Sequence, residues 1–150
     1  PPSTRSSPLL FILHDIPPNV ALGIVIMIFP FKSAPRLRDL ARNADTARDA
    51  KQWPEAALAY RNLLTRYPDR GDMWIQYGHA LKESGYLVDA ELDYRQAIQR
   101  SPTQAEGYIQ LGHALKLQNR REEAATVYRE ALRHDPGATV ATVELAALGF

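Results

Sequence analysis

The sequence predicts an all-α fold in which antiparallel helix pairs stack side by side into an α-solenoid. The first observation is that the stretch 74–82 (WIQYGHALK) returns as 108–116 (YIQLGHALK), with seven of nine positions identical. The second is that the same period continues downstream, where Ala90, Tyr94, Ala97 and Pro102 are matched by Ala124, Tyr128, Ala131 and Pro136. A fixed period of 34 residues indicates that one supersecondary unit is repeated along the chain. The fold is therefore an array without a single central core. Because an array presents surface, we expect its function to be binding.

The array begins with a degenerate unit at 37–70 and continues with two well-preserved units at 71–104 and 105–138. The first unit keeps the second-helix positions as Ala56, Tyr60, Leu63 and Pro68. Its first helix departs from the pattern with Leu40, Asn43 and Ala44. A further first helix is predicted at 139–148, with Thr142, Leu145 and Ala146 in the corresponding positions. The register therefore predicts about seven helices, with turns near 50–53, 84–87 and 118–121 within units and near 68–71, 102–105 and 136–139 between them.

Within a unit, the spacing places the packing residues on one face of the first helix. Trp74, Tyr77, Gly78 and Leu81 lie at i, i+3, i+4 and i+7. Glycine inside a helix costs roughly 1 kcal/mol relative to alanine, so Gly78 and its counterpart Gly112 indicate a close helix contact. The neighbours predicted for them are Ala90 and Ala124. Prolines at 68, 102 and 136 follow basic amphipathic segments and end each unit.

These units resemble the tetratricopeptide repeat, which has a large residue and a Leu-Gly pair in its first helix, and Ala, an aromatic, Ala and Pro in its second. The match is close at 71–104 and 105–138 and degenerate at 37–70. The resemblance implies a right-handed α-solenoid whose first helices line a concave surface. It also implies a non-catalytic protein-interaction scaffold that binds an extended peptide or a partner segment in that groove.

A polar stripe beside the packing face is the predicted peptide-binding groove. On the first helix of the middle unit it comprises Asp72, Ile75, Gln76, His79 and Lys82, and on that of the next unit Glu106, Ile109, Gln110, His113 and Lys116. Amides can pair with the backbone of an extended ligand, and lysines and histidines can meet its acidic groups.

The second helices differ between the two units. Glu91, Leu92 and Asp93 are replaced by Ala125, Thr126 and Val127, at positions expected to face outward or to meet the next unit. Copying of the whole unit by duplication is the alternative explanation for the shared stripe.

No catalytic constellation is visible, so we expect neither enzymatic activity nor a cofactor. There is no Gly-rich phosphate loop, and the chain has no cysteine for a disulfide or a thiol nucleophile. His79 and His113 stand one period apart, but a metal would need further ligands and only glutamines and lysines lie nearby in register. A net charge of +1 favours neither nucleic acid nor an anionic membrane as partner. The expected partner is therefore a protein or peptide, and the expected location is the cytoplasm.

Residues 1–35 stand apart from the array. An uninterrupted apolar run at 20–29 (VALGIVIMIF) ends at Pro30 and is too short to span a bilayer as a helix. Three interpretations stay open: disorder or an artefactual start, packing on the array or on a second copy, and membrane association or export. Self-association through this run or through the last helix is a further expectation.

A second resemblance suggests another context for the array. The stretches 77–85 (YGHALKESG) and 111–119 (LGHALKLQN) look like repeats that precede bacterial glycosyltransferase domains, in the manner of the O-linked N-acetylglucosamine transferases. On this alternative the chain is the N-terminal recognition arm of a larger bacterial glycosyltransferase. The stretch 139–150 begins a further helix without the charged outer face of a capping helix, which agrees with a longer array.

Overall fold

The computed structural model describes residues 36–150, and within that range every regular element is an α-helix. The helices are α1 (Leu37–Asp49), α2 (Trp53–Arg66), α3 (Gly71–Glu83), α4 (Leu87–Arg100), α5 (Ala105–Leu117), α6 (Arg121–His134) and α7 (Thr139–Leu148). Each helix packs chiefly on its neighbours in sequence, which is the arrangement of a stacked array. The predicted helix number and turn positions are confirmed for this part of the chain.

The turns within the pairs repeat with the same period as the helices. Lys51, Gly85 and Asn119 stand one period apart, each has a positive φ, and each occupies the second position after its helix ends. Glycine and asparagine adopt this left-handed conformation readily, and there it reverses the chain into the second helix. Basic residues in the last turns of the second helices, such as Arg66 and Arg100, suit the negative end of the helix dipole.

The core is built on three tyrosines, one from each second helix. Tyr60, Tyr94 and Tyr128 have no exposed surface and occupy the same position in successive pairs. Small residues share the buried clusters with them, including Ala44 on α1, Ala90 on α4 and Ala124 on α6. This small-and-large arrangement lets the helices of a pair approach closely while the rings fill the space between them.

Gly78 and Gly112 make the close contacts that the sequence predicted, and the atoms nearest to them belong to tyrosine rings of the second helices. Ala90 and Ala124 as further neighbours stay a prediction. A Cβ atom on Gly78 would lie 2.7 Å from Cε1 of Tyr94, and one on Gly112 would lie 2.5 Å from Cε1 of Tyr128. The reason is that the long tyrosine side chain crosses the helix interface and lies against the opposite backbone. The glycines are therefore required by the tyrosine rings.

The segments between pairs are fixed by hydrogen bonds to the carbonyl groups of the prolines. The indole Nε1–H of Trp74 donates to the carbonyl of Pro68 at 2.7 Å. One period later, the hydroxyl of Tyr108 donates to the carbonyl of Pro102 at 2.9 Å. Two different aromatic side chains thus perform the same task, which explains why the position accepts Trp in one unit and Tyr in the next.

Two carboxylates of α4 are buried at positions predicted to face outward or to meet the next unit, and Glu91 does meet the next unit through Gln118 and Arg120. Glu91 and Asp93 are each 8% exposed, whereas Leu92 between them is 57% exposed. Burial would raise the pKa of Glu91, but hydrogen bonds from Arg95, Gln118 and Arg120 outweigh it and hold that pKa below its ordinary value.

Oδ2 of Asp93 has no hydrogen-bond partner among the described residues. Burial, with a smaller contribution from Asp89, raises the pKa of Asp93 to about 7.

An Asp93→Asn variant is expected to be about 2 kcal/mol more stable than the wild type at pH 8 and nearly equal to it at pH 4. An unfolded aspartate ionises near pH 3.9, whereas the folded one ionises near 7, so the wild type loses stability as pH rises between these values. The expected gain is below the full linkage value because the carboxylate borders an open depression on the surface. Urea denaturation of both proteins across this pH range measures the difference. Asp69→Asn, at an exposed turn position, is the control and should change stability little at either pH. A difference between Asp93→Asn and the wild type that stays constant with pH would contradict this assignment.

Residues 1–35, including the apolar run at 20–29, lie outside the described range, so the interpretations given for them stay predictions. Of the helices in the described part of the chain, none combines the length and the apolar character that crossing a bilayer requires.

Candidate functional site

The first helices α1, α3, α5 and α7 present a shared polar surface, which we call the first-helix face. A depression of about 220 Å³ lies on it. Five of the ten predicted groove residues line this depression together with Arg48: Ile75, Gln76, His79, Glu106 and Gln110. The predicted stripe on α3 and that on α5 therefore meet at a single site.

The two isoleucines contribute less surface than the predicted groove floor requires. Ile75 is 8% exposed and Ile109 is 7% exposed, and both belong to the hydrophobic core. Ile75 still borders the depression, whereas Ile109 does not line it. The accessible surface of the site is consequently dominated by polar side chains.

The two glutamines are each half-satisfied within the protein. Oε1 of Gln76 accepts a hydrogen bond from Nη1 of Arg48 at 3.2 Å, and Nε2 of Gln110 donates to Oε1 of Glu106 at 2.8 Å. Within residues 36–150, the amide NH2 of Gln76 and the amide oxygen of Gln110 have no side-chain hydrogen bond. The depression thus offers one donor group and one acceptor to a ligand, which is what an extended backbone requires.

Arg48 is a site residue that the sequence analysis missed. It lies one period before Lys82 and two periods before Lys116, so these three cations form a basic ladder along α1, α3 and α5. Its guanidinium pairs with Asp45 at 3.0 Å and with Asp49 at 2.9 Å, and also donates to the hydroxyl of Tyr60. Extending the repeat register into the degenerate first unit would have found it.

Glu144 on α7 is the second missed residue, and it stands one period after Gln110. Its carboxylate pairs with Nζ of Lys116 and lies 3.6 Å from Nε2 of His113. These two predicted groove residues are therefore engaged by the last helix and do not line the depression. Lys82 likewise has a partner, since its Nζ lies 3.3 Å from Glu83.

Asp72 lies at the exposed start of α3, away from the depression. It accepts hydrogen bonds from Arg70 at 2.9 and 2.5 Å. This contact holds the pKa of the Asp72 carboxyl below its ordinary value. The contact locks the N-terminal turn of α3, so Asp72 is better placed for structure than for ligand contact.

The two histidines of the stripe pack against aromatic rings. The ring of His79 meets Trp53 edge-on with centroids 5.5 Å apart, and that of His113 meets Tyr128 at 5.8 Å. Burial lowers the pKa of both, and Lys82 lowers that of His79 further, so both imidazoles are neutral at pH 7. They can donate or accept a hydrogen bond at that pH, but the positive charge of the face comes from Arg48, Lys82 and Lys116. Within residues 36–150, no three metal-ligating side chains converge.

The geometry is that of a helical-repeat array with a polar surface, and comparison with known proteins identifies the repeat. Sequence models of the tetratricopeptide repeat match residues 71–104 and 105–138, the same bounds that the repeat register gave. Residues 71–138 are therefore two tetratricopeptide repeats. A comparison with curated proteins found no match.

Solved tetratricopeptide domains have the same fold. The domain of Arabidopsis OM64 is 23% identical with a TM-score of 0.71, covering 75% of this chain and 93% of that one. The first such domain of Spaghetti (RPAP3), bound to the HSP90 peptide SRMEEVD, is 20% identical with a TM-score of 0.72 over 75% and 90% of the chains. The second domain of human RPAP3, in complex with the HSP70 peptide SGPTIEEVD, is 17% identical with a TM-score of 0.70 over 74% and 92%. At these identities the likeness establishes the fold alone. Nothing in these comparisons supports the glycosyltransferase alternative.

Proposed function

We propose that this protein is a non-catalytic interaction scaffold that binds an extended peptide segment of a partner protein on the first-helix face. The observation that carries the proposal is the depression where Arg48, Gln76 and Gln110 converge from three successive first helices. A site built from equivalent positions of successive repeats has a regular spacing along the array. That spacing suits a linear ligand with its own regular backbone better than a compact small molecule.

Hydrogen bonding fixes the ligand's backbone in this proposal. The free NH2 of Gln76 donates to a ligand carbonyl, and the free amide oxygen of Gln110 accepts from a ligand N–H. Both amides are partly held by Arg48 and Glu106, so little rotamer freedom is lost when a peptide binds. This preorganisation of the two amides favours affinity.

Charge sets the preference for an acidic segment. Arg48, Lys82 and Lys116 supply the cations, since His79 and His113 are neutral at pH 7. Both peptides bound by the similar structures, SRMEEVD and SGPTIEEVD, end in Glu-Glu-Val-Asp, so the fold is compatible with acidic segments. Here the ladder cations already pair with Asp45, Asp49, Glu83 and Glu144. An acidic ligand exchanges these contacts for its own, and we expect moderate affinity that weakens with salt.

Replacing Gln76 and Gln110 together with alanine is expected to weaken binding of an acidic peptide about tenfold. Each lost hydrogen bond to a desolvated partner is worth roughly 0.5–1.5 kcal/mol, and two such losses correspond to about this factor. Calorimetric titration of the full chain with the peptide SRMEEVD measures the change, and the amide analogue SRMQQVN tests the need for acidic groups.

The matched control is Gln99→Ala, which removes an exposed amide from α4 on a second helix. It should bind the peptide as the wild type does, and all variants should keep the wild-type helical signal. Equal affinity of the double variant and the wild type would exclude the glutamine pair from the site.

A further inference from the structure

The second helices carry a different surface feature, which lies between α2 and α4. Two adjoining depressions of about 290 Å³ and 190 Å³ share Tyr77, Leu81 and Tyr86. We call them together the α2–α4 notch. Its floor is the face of α3 that bears Tyr77 and Leu81, roughly opposite the face that bears Ile75 and His79. The notch is therefore separate from the peptide site proposed above and does not depend on it.

The equivalent position one period later, the α4–α6 notch, is closed by an ion-pair network of the chain itself. Arg120 reaches Glu91 of α4 at 2.5 Å and Glu123 of α6 at 2.6 Å. Glu91 also accepts hydrogen bonds from Arg95 at 2.8 Å and Gln118 at 3.0 Å. The guanidinium of Arg120 therefore lies between two carboxylates that come from neighbouring second helices.

The α2–α4 notch has carboxylates but lacks this cation. Tyr86 stands at the position of Arg120, and Asp89 stands at the position of Glu123. Among the described residues, no basic side chain forms an ion pair with Asp89 or with Asp93. Asp93 lines the notch, is only 8% exposed, and leaves Oδ2 without a hydrogen-bond partner in the described part of the chain. A buried carboxylate oxygen without a partner is costly, so the site favours an incoming donor.

Apolar side chains line both depressions of the notch. Leu58 of α2 and Leu92 of α4 line the notch and are 49% and 57% exposed, and the ring of Tyr86 is exposed beside them. At the position of Leu92 the α4–α6 notch has the polar Thr126. Exposed apolar side chains grouped around unpaired carboxylates are typical of a surface that a partner covers.

We propose that the α2–α4 notch binds an arginine side chain of a partner protein segment, flanked in that segment by apolar residues. The guanidinium contacts Asp89, which stands at the position of Glu123, much as Arg120 contacts Glu123 in the α4–α6 notch. Its second carboxylate is Asp93, one helical turn further along α4, because Ala57 stands at the position of Glu91. The flanking apolar side chains cover Leu58 and Leu92. Arginine fits this geometry because its planar guanidinium can serve two carboxylates at once.

The charges that face Asp93 determine how this binding depends on pH. Asp89 lies on the same helix, Tyr77 faces it from α3, and Arg61 lies on the α2 side of the notch. Arg61 corresponds to Arg95, but Ala57 stands where Glu91 does, so within residues 36–150 Arg61 has no counterpart of the carboxylate partner that Arg95 has. Because Asp93 must lose its proton to accept the guanidinium fully, binding should strengthen between pH 6 and pH 8.

The test uses the full chain and a pair of probe peptides, Ac-Leu-Leu-Arg-Leu-Leu-amide and the same peptide with citrulline in place of arginine. Citrulline keeps the shape and removes the charge. Amide chemical-shift titration should show at least about tenfold tighter binding of the arginine peptide, with shifts concentrated on α2 and α4. The preference for the arginine peptide over the citrulline peptide should be lost in Asp93→Asn, which is expected to be stably folded. It should be kept in Glu123→Gln, which alters the α4–α6 notch.

A second test uses a variant that supplies the missing cation from within the chain. Tyr86→Arg places an internal cation where Arg120 lies in the α4–α6 notch, so it should weaken binding of the arginine peptide at least about tenfold. Equal binding of the two peptides, no binding of the arginine peptide, or a preference that survives Asp93→Asn would each overturn the proposal. A preference that disappears in Gln76→Ala/Gln110→Ala would also overturn it, because the arginine would then bind on the first-helix face.

Discussion

Replacing Tyr128 with alanine is expected to lower the free energy of unfolding by about 3–5 kcal/mol, the usual range for removing a large aromatic side chain from a core. The ring has no exposed surface, and it lies against Gly112 and the ring of His113. The surrounding helices are held by the α3–α4 pair on one side and by α7 on the other, so they cannot collapse fully into the space. The midpoint of urea denaturation measures the loss, provided that the slope of the transition is unchanged.

Tyr128→Phe separates the ring from its hydroxyl. The hydroxyl of Tyr128 is buried and has no hydrogen-bond partner among the described residues, so its removal should cost nothing and can stabilise by up to about 1 kcal/mol. Tyr60→Phe is the matched comparison, because the Tyr60 hydroxyl donates to Asp45 at 2.7 Å and accepts from Arg48. That variant should lose about 1 kcal/mol or more. Equal losses in the two phenylalanine variants would show that Tyr128 has a partner as Tyr60 does.

A Gly112→Val variant is expected to be destabilised by about 2–3 kcal/mol, within the range typical of overpacking. A Cβ there would lie within 2.5–2.8 Å of three ring atoms of Tyr128, and this ring is fully buried, so its movement must displace neighbouring side chains. Overpacking of this kind typically costs about 1–3 kcal/mol, which exceeds the few tenths that valine gains over glycine in helix propensity.

Ala146→Val is the control for this prediction, since Ala146 occupies the same position in α7 and is exposed. It should change the free energy of unfolding by about 0.5 kcal/mol or less. Thermal or urea denaturation of both variants measures the contrast. Similar behaviour of the two proteins would mean that the contact between Gly112 and Tyr128 does not limit stability.

The helices and their turns could be predicted from the sequence because the period itself encodes them. Once two copies are aligned, Gly85 and Asn119 mark the same turn, and Pro68 and Pro102 mark the same boundary. Packing partners were harder to predict. Spacing identified the face of α3 that carries Gly78, but it could not show that the ring of Tyr94, one helical turn beyond Ala90, would reach that backbone.

The candidate site was predicted only where the repeats are well preserved. Gln76 and Gln110 stood out because they are identical in two copies. Arg48 and Glu144 did not, because α1 and α7 depart from the repeat pattern in most other positions. Whether a charged side chain forms an ion pair depends on its neighbours in space. The ion pair between Lys116 and Glu144 therefore could not be predicted from the sequence of the polar stripe. The burial of Asp93 was also missed, since its counterparts Ala59 and Val127 gave no sign of a carboxylate site.

The central claim is that the first-helix face binds an extended acidic segment, and amide chemical-shift mapping of the full chain with the peptide SRMEEVD tests it most directly. We expect the largest shifts at the C-terminal end of α1 and along α3 and α5, around Arg48, Gln76 and Gln110. These shifts should weaken at high salt as the ladder cations are screened. Shifts confined to the second helices α2, α4 and α6, or no shifts at millimolar peptide, would contradict the claim.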